Sequence, residues 1–533
     1  MVRILKTVDG LTCYLAQKRQ GRTGTLTVGL VPTMGGLHAG HRSLMERARR
    51  ENDLVVVSIF LNPIQFAPGE DLARYPQTPS QDLQLCDQVG VDAVFMPTPQ
   101  GFYGSDSPAS AGLTQVVPPA SMMAVLCGPH RPGHFEGVAT VVTKLLSLVQ
   151  PDRAYFGRKD AQQFAIIQRL AQDLNLPTQI VGCPTVREGS GLALSSRNAY
   201  LSEAERAEAS VLYRGLMAAQ AKFKAGERSS PVLIEAVDRT LGQVPAVQPQ
   251  YVELVHPETL VPLDTVESTG LLAVAAYLGQ TRLIDNILLR HRQPILAIDG
   301  PAGAGKSTVA RQVAKRLGLL YLDSGAMYRA ITWKALQQGL DLQDEVAVAE
   351  LLQDCHLKLA ASGDDPAFAA YPSRIWLNGQ EVTELIRHPS VTAQVSTIAA
   401  QPIVRKVLLK QQQQYGIAGG VVMEGRDIGT QVFPHAELKV FLTASVAERA
   451  RRRQQDLKAQ QLPVESLAAL EHAIDDRDRK DSTRRVAPLK KAEDAVELIT
   501  DGLSIEQVVD KIVLMYEDRV GGVPTHSGAN GQR

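Results

Sequence analysis

Apolar runs rich in β-branched residues recur along the first part of the chain, separated by stretches with helical spacing. Leu26–Val31, Leu54–Phe60, Ala93–Met96, Ala154–Phe156 and Gln179–Val181 read as short buried strands. Between them, His41–Glu51 and Val138–Leu148 read as amphipathic helices. This alternation predicts an α/β fold, a parallel sheet with helices on both faces. From Glu203 to Gly242 the pattern turns helical, with an Ala-rich, charged surface, and the strand candidates Tyr251–Val255 and Leu271–Tyr277 follow. That change predicts a smaller α+β subdomain over about 186–290. A second strand–loop–helix pattern starts abruptly at Pro294–Asp299, which makes Leu288–Gln293 the expected junction, with no Gly/Ser- or Pro-rich linker. The closing segment Gly521–Arg533 has little to bury and is expected to be disordered.

Length agrees with this division, because 533 residues exceed what one hydrophobic core organises. Charge narrows the partners: 56 basic and 56 acidic side chains cancel, so no global field draws the chain to nucleic acid or an anionic membrane. The five cysteines are scattered, without a CxxC pair or a Cys/His cluster, which argues against a disulfide framework or structural zinc. The first twenty residues lack the apolar core of a signal peptide. The longest apolar stretch, around Leu271–Leu278, falls far short of the ~20 residues a membrane span needs. The expectation is a cytoplasmic protein with small-molecule partners.

Candidate chemistry appears first after Leu26–Val31, in Pro32-Thr33-Met34-Gly35-Gly36-Leu37-His38-Ala39-Gly40-His41. Small residues at a strand-to-helix turn let backbone approach a phosphate chain, and a helix N-terminus offers N–H groups and a positive dipole end. Two imidazoles there can donate to a phosphoryl oxygen, which suits attack on the α-phosphate of ATP. Asn62-Pro63-Ile64-Gln65-Phe66, Gly157-Arg158-Lys159-Asp160 with Gln162 and Gln163, and Leu194-Ser195-Ser196-Arg197-Asn198 all follow expected strands. Ligands bind at such strand ends in open α/β sheets. Singly these segments also read as turns, surface ion pairs or helix caps; together they offer cations for a triphosphate and amides for a polar acid.

PTMGGLHAGH, FLNPIQF, RPGHFEGV, FGRKDAQQ and LSSRN resemble pantothenate synthetases, in order and spacing, over nearly all of residues 1–290. The resemblance implies a Rossmann-like nucleotidyltransferase fold to about residue 185 and a two-step reaction. Pantoate carboxylate attacks the ATP α-phosphorus, giving pantoyl adenylate and pyrophosphate; β-alanine then displaces AMP. It further implies that Met34–His41, Gly157–Asp160, Val186 and Leu194–Arg197 bind ATP, with His41 a proton donor and His38 on the phosphates. Gln65 is implied for pantoate and β-alanine, and Gln163 for pantoate. Lys159 and Arg197 would neutralise phosphate charge, with Mg²⁺ on the phosphates and a homodimer formed through this half. Arg158 departs from a position where an acidic residue is frequent, and Ala161 from one where an aromatic is frequent.

Further along, Gly300-Pro301-Ala302-Gly303-Ala304-Gly305-Lys306-Ser307-Thr308 follows the strand Ile295–Ile298 and opens the expected helix Thr308–Leu317. This is a P-loop in its required context: loop N–H groups cradle phosphates, Lys306 reaches the β- and γ-phosphates, and Ser307 places Mg²⁺. Leu322–Arg329 reads as the start of the next helix, and Arg477, Asp481 and Arg484 would share one helical face at i, i+4 and i+7. Read alone, RDRKDSTRR is first a solvated charged face or a nucleic-acid patch.

GPAGAGKST, LDSGAMYRA, GRDIGTQVFP and RDRKDSTRRVAPL resemble bacterial cytidylate kinases over about 293–515. That implies a P-loop nucleoside monophosphate kinase fold and phosphoryl transfer from ATP to CMP or dCMP. Ser324, Tyr328, Arg329, Ser396, Arg405, Arg426, Asp427, Arg477, Asp481 and Arg484 are the implied acceptor-site residues. About 340–389 would form an enlarged monophosphate-binding domain, and Arg449, Arg451, Arg452 and Arg453 a mobile lid. Glu424 replaces a common Asp. The alternatives are the same folds with other substrates, or one half as a non-catalytic module.

Overall fold

The computed structural model describes residues 2–20, 26–67, 70–105, 112–361, 373–459, 466–484 and 486–520. The expected disorder of Gly521–Arg533, and part of the 340–389 span, lie outside the described residues. The chain divides into two compact units, Met1–His291 and Arg292–Arg533.

In the first unit, strands β1 (Arg3–Leu5), β2 (Val28–Thr33), β3 (Leu54–Ile59), β4 (Ala93–Phe95), β5 (Arg153–Gly157) and β6 (Gln179–Cys183) form one parallel sheet, ordered β1-β4-β3-β2-β5-β6. β3 reads LVVVSI and is buried throughout, as a strand covered on both faces must be. Its side chains alternate: Leu54 and Val56 join a core with Val138, Val142 and Leu145 of the helix His134–Val149. Val55 and Val57 join Leu44, Met45 and Ala48 of the helix Ala39–Glu51 on the opposite face. Strand order reverses between β2 and β5, and a doubly wound sheet opens its ligand crevice at such a switch point.

The 203–242 stretch is three helices, Glu203–Ala209, Val211–Lys224 and Ser230–Leu241. They pack on an antiparallel sheet of β7 (Val247–Val255), β8 (Thr269–Leu278) and β9 (Thr281–Arg290). The division after His291 falls inside the expected junction Leu288–Gln293, whose first residues are nonetheless regular structure. Leu288, Leu289 and Arg290 are the end of β9, paired with Leu271, Gly270 and Thr269, so this part of the segment is sheet rather than linker. β9 escapes a simple reading because charged and amide residues interrupt its apolar positions.

The second unit has a parallel sheet ordered β11-β15-β10-β16-β17, from β10 (Ile295–Asp299), β11 (Leu320–Asp323), β15 (Val421–Gly425), β16 (Leu438–Thr443) and β17 (Val496–Ile499). The helices Lys306–Leu317 and Ile505–Val520 cover one face. The helices Ser324–Gln337 and Pro402–Tyr415 cover the other. A separate antiparallel sheet joins β12 (Leu357–Ala361), β13 (Ser373–Leu377) and β14 (Gln380–Glu381). Two further expectations are corrected. Leu322 and Asp323 close β11 and do not open a helix; Asp323 instead caps the helix that follows, accepting from Ala326 N–H. Arg484 lies beyond the helix Leu467–Thr483, its backbone extended at φ −62° and ψ 144°, so it shares no helical face with Arg477 and Asp481.

Candidate active sites

The loop between β2 and the helix Ala39–Glu51 takes its shape from two left-handed glycines, Gly35 at φ 90° and Gly36 at φ 63°. A Cβ on Gly36 would lie 3.0 Å from the Pro76 carbonyl oxygen. Buried Asp82 ties the loop down, accepting from Gly36 N–H (3.0 Å), Leu37 N–H (2.9 Å) and the Thr78 hydroxyl (3.0 Å). The helix then caps itself: His38 Nδ1 accepts from Gly40 N–H and His41 Nδ1 from His38 N–H. Four amides of the turn, those of Gly36, Leu37, His38 and Gly40, are thus already engaged by Asp82 and the two histidines. Asp82 was not singled out in the sequence; it sits in an ordinary amphipathic helix, 45 residues from its partner Leu37.

Self-capping has a chemical result. An Nδ1 that accepts a hydrogen bond carries no proton, so each imidazole holds its proton on Nε2. Burial, with Lys159 nearby, lowers His38 to about 4; burial, with His38 nearby, lowers His41 to about 3. Both rings are neutral Nε2–H donors, and both line a cavity of about 220 Å³.

The same cavity is lined by Met34, Gly40, Gln65, Gly157, Lys159, Asp160, Gln163, Val186, Leu194, Ser195, Ser196 and Arg197, from loops that follow four parallel strands. Gly35, Gly36, Leu37 and Ala39 shape the wall without lining it. Arg158 does not line it: its guanidinium lies 5.9 Å from the Phe164 ring centre, and burial and Arg47 hold it below the usual arginine range. Gln162 is likewise structural, its amide bonding Cys127 N–H and the carbonyls of Met122 and Val125.

Gln65 is fixed from behind. The Tyr103 hydroxyl donates to Asn62 Oδ1 (2.9 Å), Asn62 Nδ2 donates to Gln65 Oε1 (3.0 Å), and His134 bonds the Gln65 carbonyl (2.8 Å). Asn286 of β9 holds the carbonyls of Arg158 and Lys159 (3.1 and 2.8 Å), so the strand missed in the sequence positions the principal lysine of the site. Arg197 forms a two-pronged pair with Asp71, both bonds 2.8 Å.

In the second unit, the P-loop runs from β10 into the helix Lys306–Leu317, with Gly305 at φ 83° as its cap. A Cβ on Gly300 would lie 1.9 Å from the Leu442 carbonyl oxygen, so only glycine fits there. Ala302 to Thr308 line a cavity of about 1150 Å³, whereas Gly300 and Pro301 lie outside it. Buried Lys306 donates from Nζ to the Pro301 carbonyl at 2.7 Å; burial and Arg426 push its ammonium below the ordinary lysine range. Asp299 accepts from Ile428 and Gly429 N–H (2.8 and 2.7 Å), linking the P-loop strand to the Gly-Arg-Asp turn, and burial raises its carboxyl to about 6. The Ser307 side chain lies near the buried Glu424 carboxylate, which accepts from Tyr321 at 2.5 Å.

Ser324, Tyr328, Arg329, Ser396, Arg405, Arg426, Asp427, Arg477, Asp481 and Arg484 all line this cavity. Asp427 takes Arg405 (3.0 Å), and Asp481 takes Arg426 (3.0 Å) and Arg484 (3.6 Å). Arg329 pairs with Asp323 (3.4 Å), and the cavity as a whole is lined by eight arginines against five carboxylates, which leaves an arginine-rich wall. Arg451, Arg452 and Arg453 line the cavity, but Arg449 does not. Arg449 is a buried brace, donating to the carbonyls of Ala444 (3.0 Å) and Ala302 (3.2 Å) and paired with Asp478 (2.6 Å). Its assignment to a lid is corrected accordingly.

Comparison with known proteins matches a family to each unit. The Pantoate-beta-alanine ligase family profile matches residues 3–288, and the Cytidylate kinase profile matches residues 296–518. A bifunctional pantoate ligase/cytidylate kinase of Trichormus variabilis is 58% identical over 97% of this chain and 99% of its own length. One from Synechocystis is 56% identical over 97% and 99%. The solved pantoate–β-alanine ligase of Thermus thermophilus is 45% identical with a TM-score of 0.50, covering 54% of this chain and all of that one. With two family matches in tandem and full-length relatives of the same composite kind, the chain belongs to the bifunctional pantoate ligase/cytidylate kinases.

Proposed function

We propose that the first unit joins pantoate to β-alanine at the expense of ATP, and that the second phosphorylates CMP or dCMP. The observation that carries the first reading is the pair of neutral, Nε2-protonated histidines facing the same cavity as Lys159, Gln65 and Gln163. The pantoate carboxylate oxygen bonds to the α-phosphorus of ATP while the α–β bridging bond breaks and pyrophosphate departs. His41 and His38 donate hydrogen bonds to the phosphoryl oxygens. A neutral donor stabilises developing charge there without transferring its proton, so His41 acts in this reading as a hydrogen-bond donor and not as a general acid. Lys159 and Arg197 offset phosphate charge, and Gly157, Asp160, Val186 and Leu194–Ser196 hold the nucleotide. Gln65 and Gln163 orient the acid. The β-alanine amine then bonds to the acyl carbon and loses a proton as AMP leaves.

In the second unit, Ala302–Thr308 cradle the ATP phosphates, and the arginine wall receives the monophosphate acceptor. An acceptor hydroxyl is not involved: a monophosphate oxygen attacks the γ-phosphorus and ADP leaves. The oxygen donors of Ser307 and Glu424 suit a hard divalent cation, and Mg²⁺ characteristically takes one or two protein ligands plus substrate phosphates. Ser307 would hold it, and it would neutralise phosphate charge. Among the described residues no helix is long and apolar enough to cross a membrane. We assign the protein to the cytoplasm, as a homodimer through its first unit, with no nucleic-acid or membrane partner.

Product analysis tests these assignments. With ATP and Mg²⁺, pantoate plus β-alanine should give AMP, pyrophosphate and pantothenate, and CMP should give ADP and CDP. Pyrophosphate release without pantothenate would reject the acid or amine assigned, and ADP formation with UMP but not CMP would reject the acceptor.

A further inference from the structure

Glu70 and Asp71 are neighbouring carboxylates, and each is gripped by an arginine. Arg131 donates from Nε and Nη2 to Glu70 (2.8 and 2.7 Å), and Arg197 from Nε and Nη2 to Asp71 (2.8 Å each). The two grips have different surroundings. Arg197 lines the synthetase cavity beside His38, His41 and Lys159 as well as a smaller adjoining cavity, whereas Arg131 lines only the smaller one and also bonds His134. Arg197 is mostly buried, and its Nε and Nη2 edge is occupied by a carboxylate with the planar two-oxygen geometry that a phosphate also offers. Lys159, by contrast, has no ion-pair partner among the described residues. A phosphate chain reaching this wall meets one cation that is open and one already paired.

We propose that Asp71 is a competing counter-ion for Arg197: the phosphates of ATP take the guanidinium from it on binding, and Asp71 reclaims it as pyrophosphate leaves. This rests on the reading that Arg197 receives the phosphates. Asp71 then limits how tightly pyrophosphate is kept, because each phosphate bond to Arg197 forms against a carboxylate bond of similar strength. Burial alone would raise the Asp71 carboxyl, but the Arg197 fork keeps it below the usual carboxylate range, so the competitor is charged at neutral pH. The Glu70–Arg131 pair, whose arginine does not line the cavity that holds His38 and His41, is the internal control.

The test is calorimetric titration of the full-length protein with magnesium pyrophosphate, together with ATP KM and kcat for pantothenate formation. Asp71→Asn should tighten pyrophosphate binding about tenfold, the scale of one charge-assisted hydrogen bond. It should also lower the ATP KM and slow turnover through product release. Glu70→Gln should leave pyrophosphate affinity within twofold, and Arg197→Met should weaken it more than tenfold. Asp71→Ser serves as the second variant if the asparagine form loses the melting transition of the first unit. Unchanged or weaker pyrophosphate binding in both Asp71 variants, with weaker binding in Arg197→Met, would mean that Asp71 only orients Arg197, and the proposal fails. Unchanged affinity in Arg197→Met would instead reject the placement of the phosphates.

Discussion

The two cavities handle phosphate charge in opposite ways. In the first unit the loop amides are bonded to Asp82 and to the histidines, the histidines are neutral, and Arg197 is paired, leaving Lys159 as the open cation. In the second unit the P-loop shares its cavity with eight arginines against five carboxylates, and burial, with Arg426 nearby, destabilises even Lys306 as a cation. The difference matches the chemistry proposed for each. A site that must keep an acyl adenylate while releasing pyrophosphate gains from neutral donors and a competed cation. A site that moves a phosphoryl group between two anionic nucleotides needs a surplus of positive charge at rest, which the nucleotides then neutralise.

The sharpest way to break this comparison is to remove one donor from each side. Lys306→Ala should lower kcat/KM for CDP formation by roughly 10²–10³, the usual loss for one electrostatic stabiliser, with pantothenate formation unchanged. His41→Ala should do the same to pantothenate formation alone, with little dependence on pH between 5.5 and 8, because the ring stays neutral there. A steep loss of activity near pH 6.5 would show a histidine titrating in turnover and refute the neutral pair.

Next in size is Asp82→Ala, which strands the Gly36 and Leu37 amides. Each of these half-buried donors loses a charged partner, at a cost of up to about 1–3 kcal/mol, so the first unit should melt lower and bind ATP more weakly, as thermal unfolding and ATP KM would report.

Stability against pH separates the units more gently. His41 and His134, both lowered to about 3 chiefly by burial, bind protons in the unfolded chain near pH 6.5 but not in the folded one. The first unit therefore loses stability as pH falls from 6.5 toward 4, with a limiting slope of about 1.4 kcal/mol per pH unit per histidine. Asp299, raised to about 6, has the opposite sign, since the folded state there binds the proton first. Its contribution grows as pH falls from 6 toward 4, so two melting transitions should diverge across this range. Parallel shifts would contradict the assignment.

The smallest effect is expected at Arg158→Ala, which should change ATP KM less than twofold because the side chain packs on Phe164 outside the cavity. A larger change would return Arg158 to the nucleotide site.

Much of this was legible in the sequence because glycine loops, buried strands and motif residues are local signals. The Leu54–Ile59 run and the P-loop declare their surroundings within ten residues. What stayed hidden depends on contacts between distant segments. Asp82 reads as one more polar residue on an amphipathic helix, and Asn286 lies in a strand whose apolar positions are interrupted. Arg449 looks like Arg451, Arg452 and Arg453 because helical spacing says nothing about which arginine turns inward. Arg484 was expected on a helix that ends one residue before it, and it reaches the cavity only because the chain extends there.

The central claim is that one chain carries two separately assembled catalytic sites, and a crossed assay tests it most directly. Full-length wild type, His41→Ala and Lys306→Ala should each be assayed for both pantothenate and CDP formation in the same preparation. The account predicts that each variant loses one activity and keeps the other within about twofold of wild type. If either substitution abolished both activities in a protein that still showed the melting transitions of both units, the sites would not be independent and the account would be wrong.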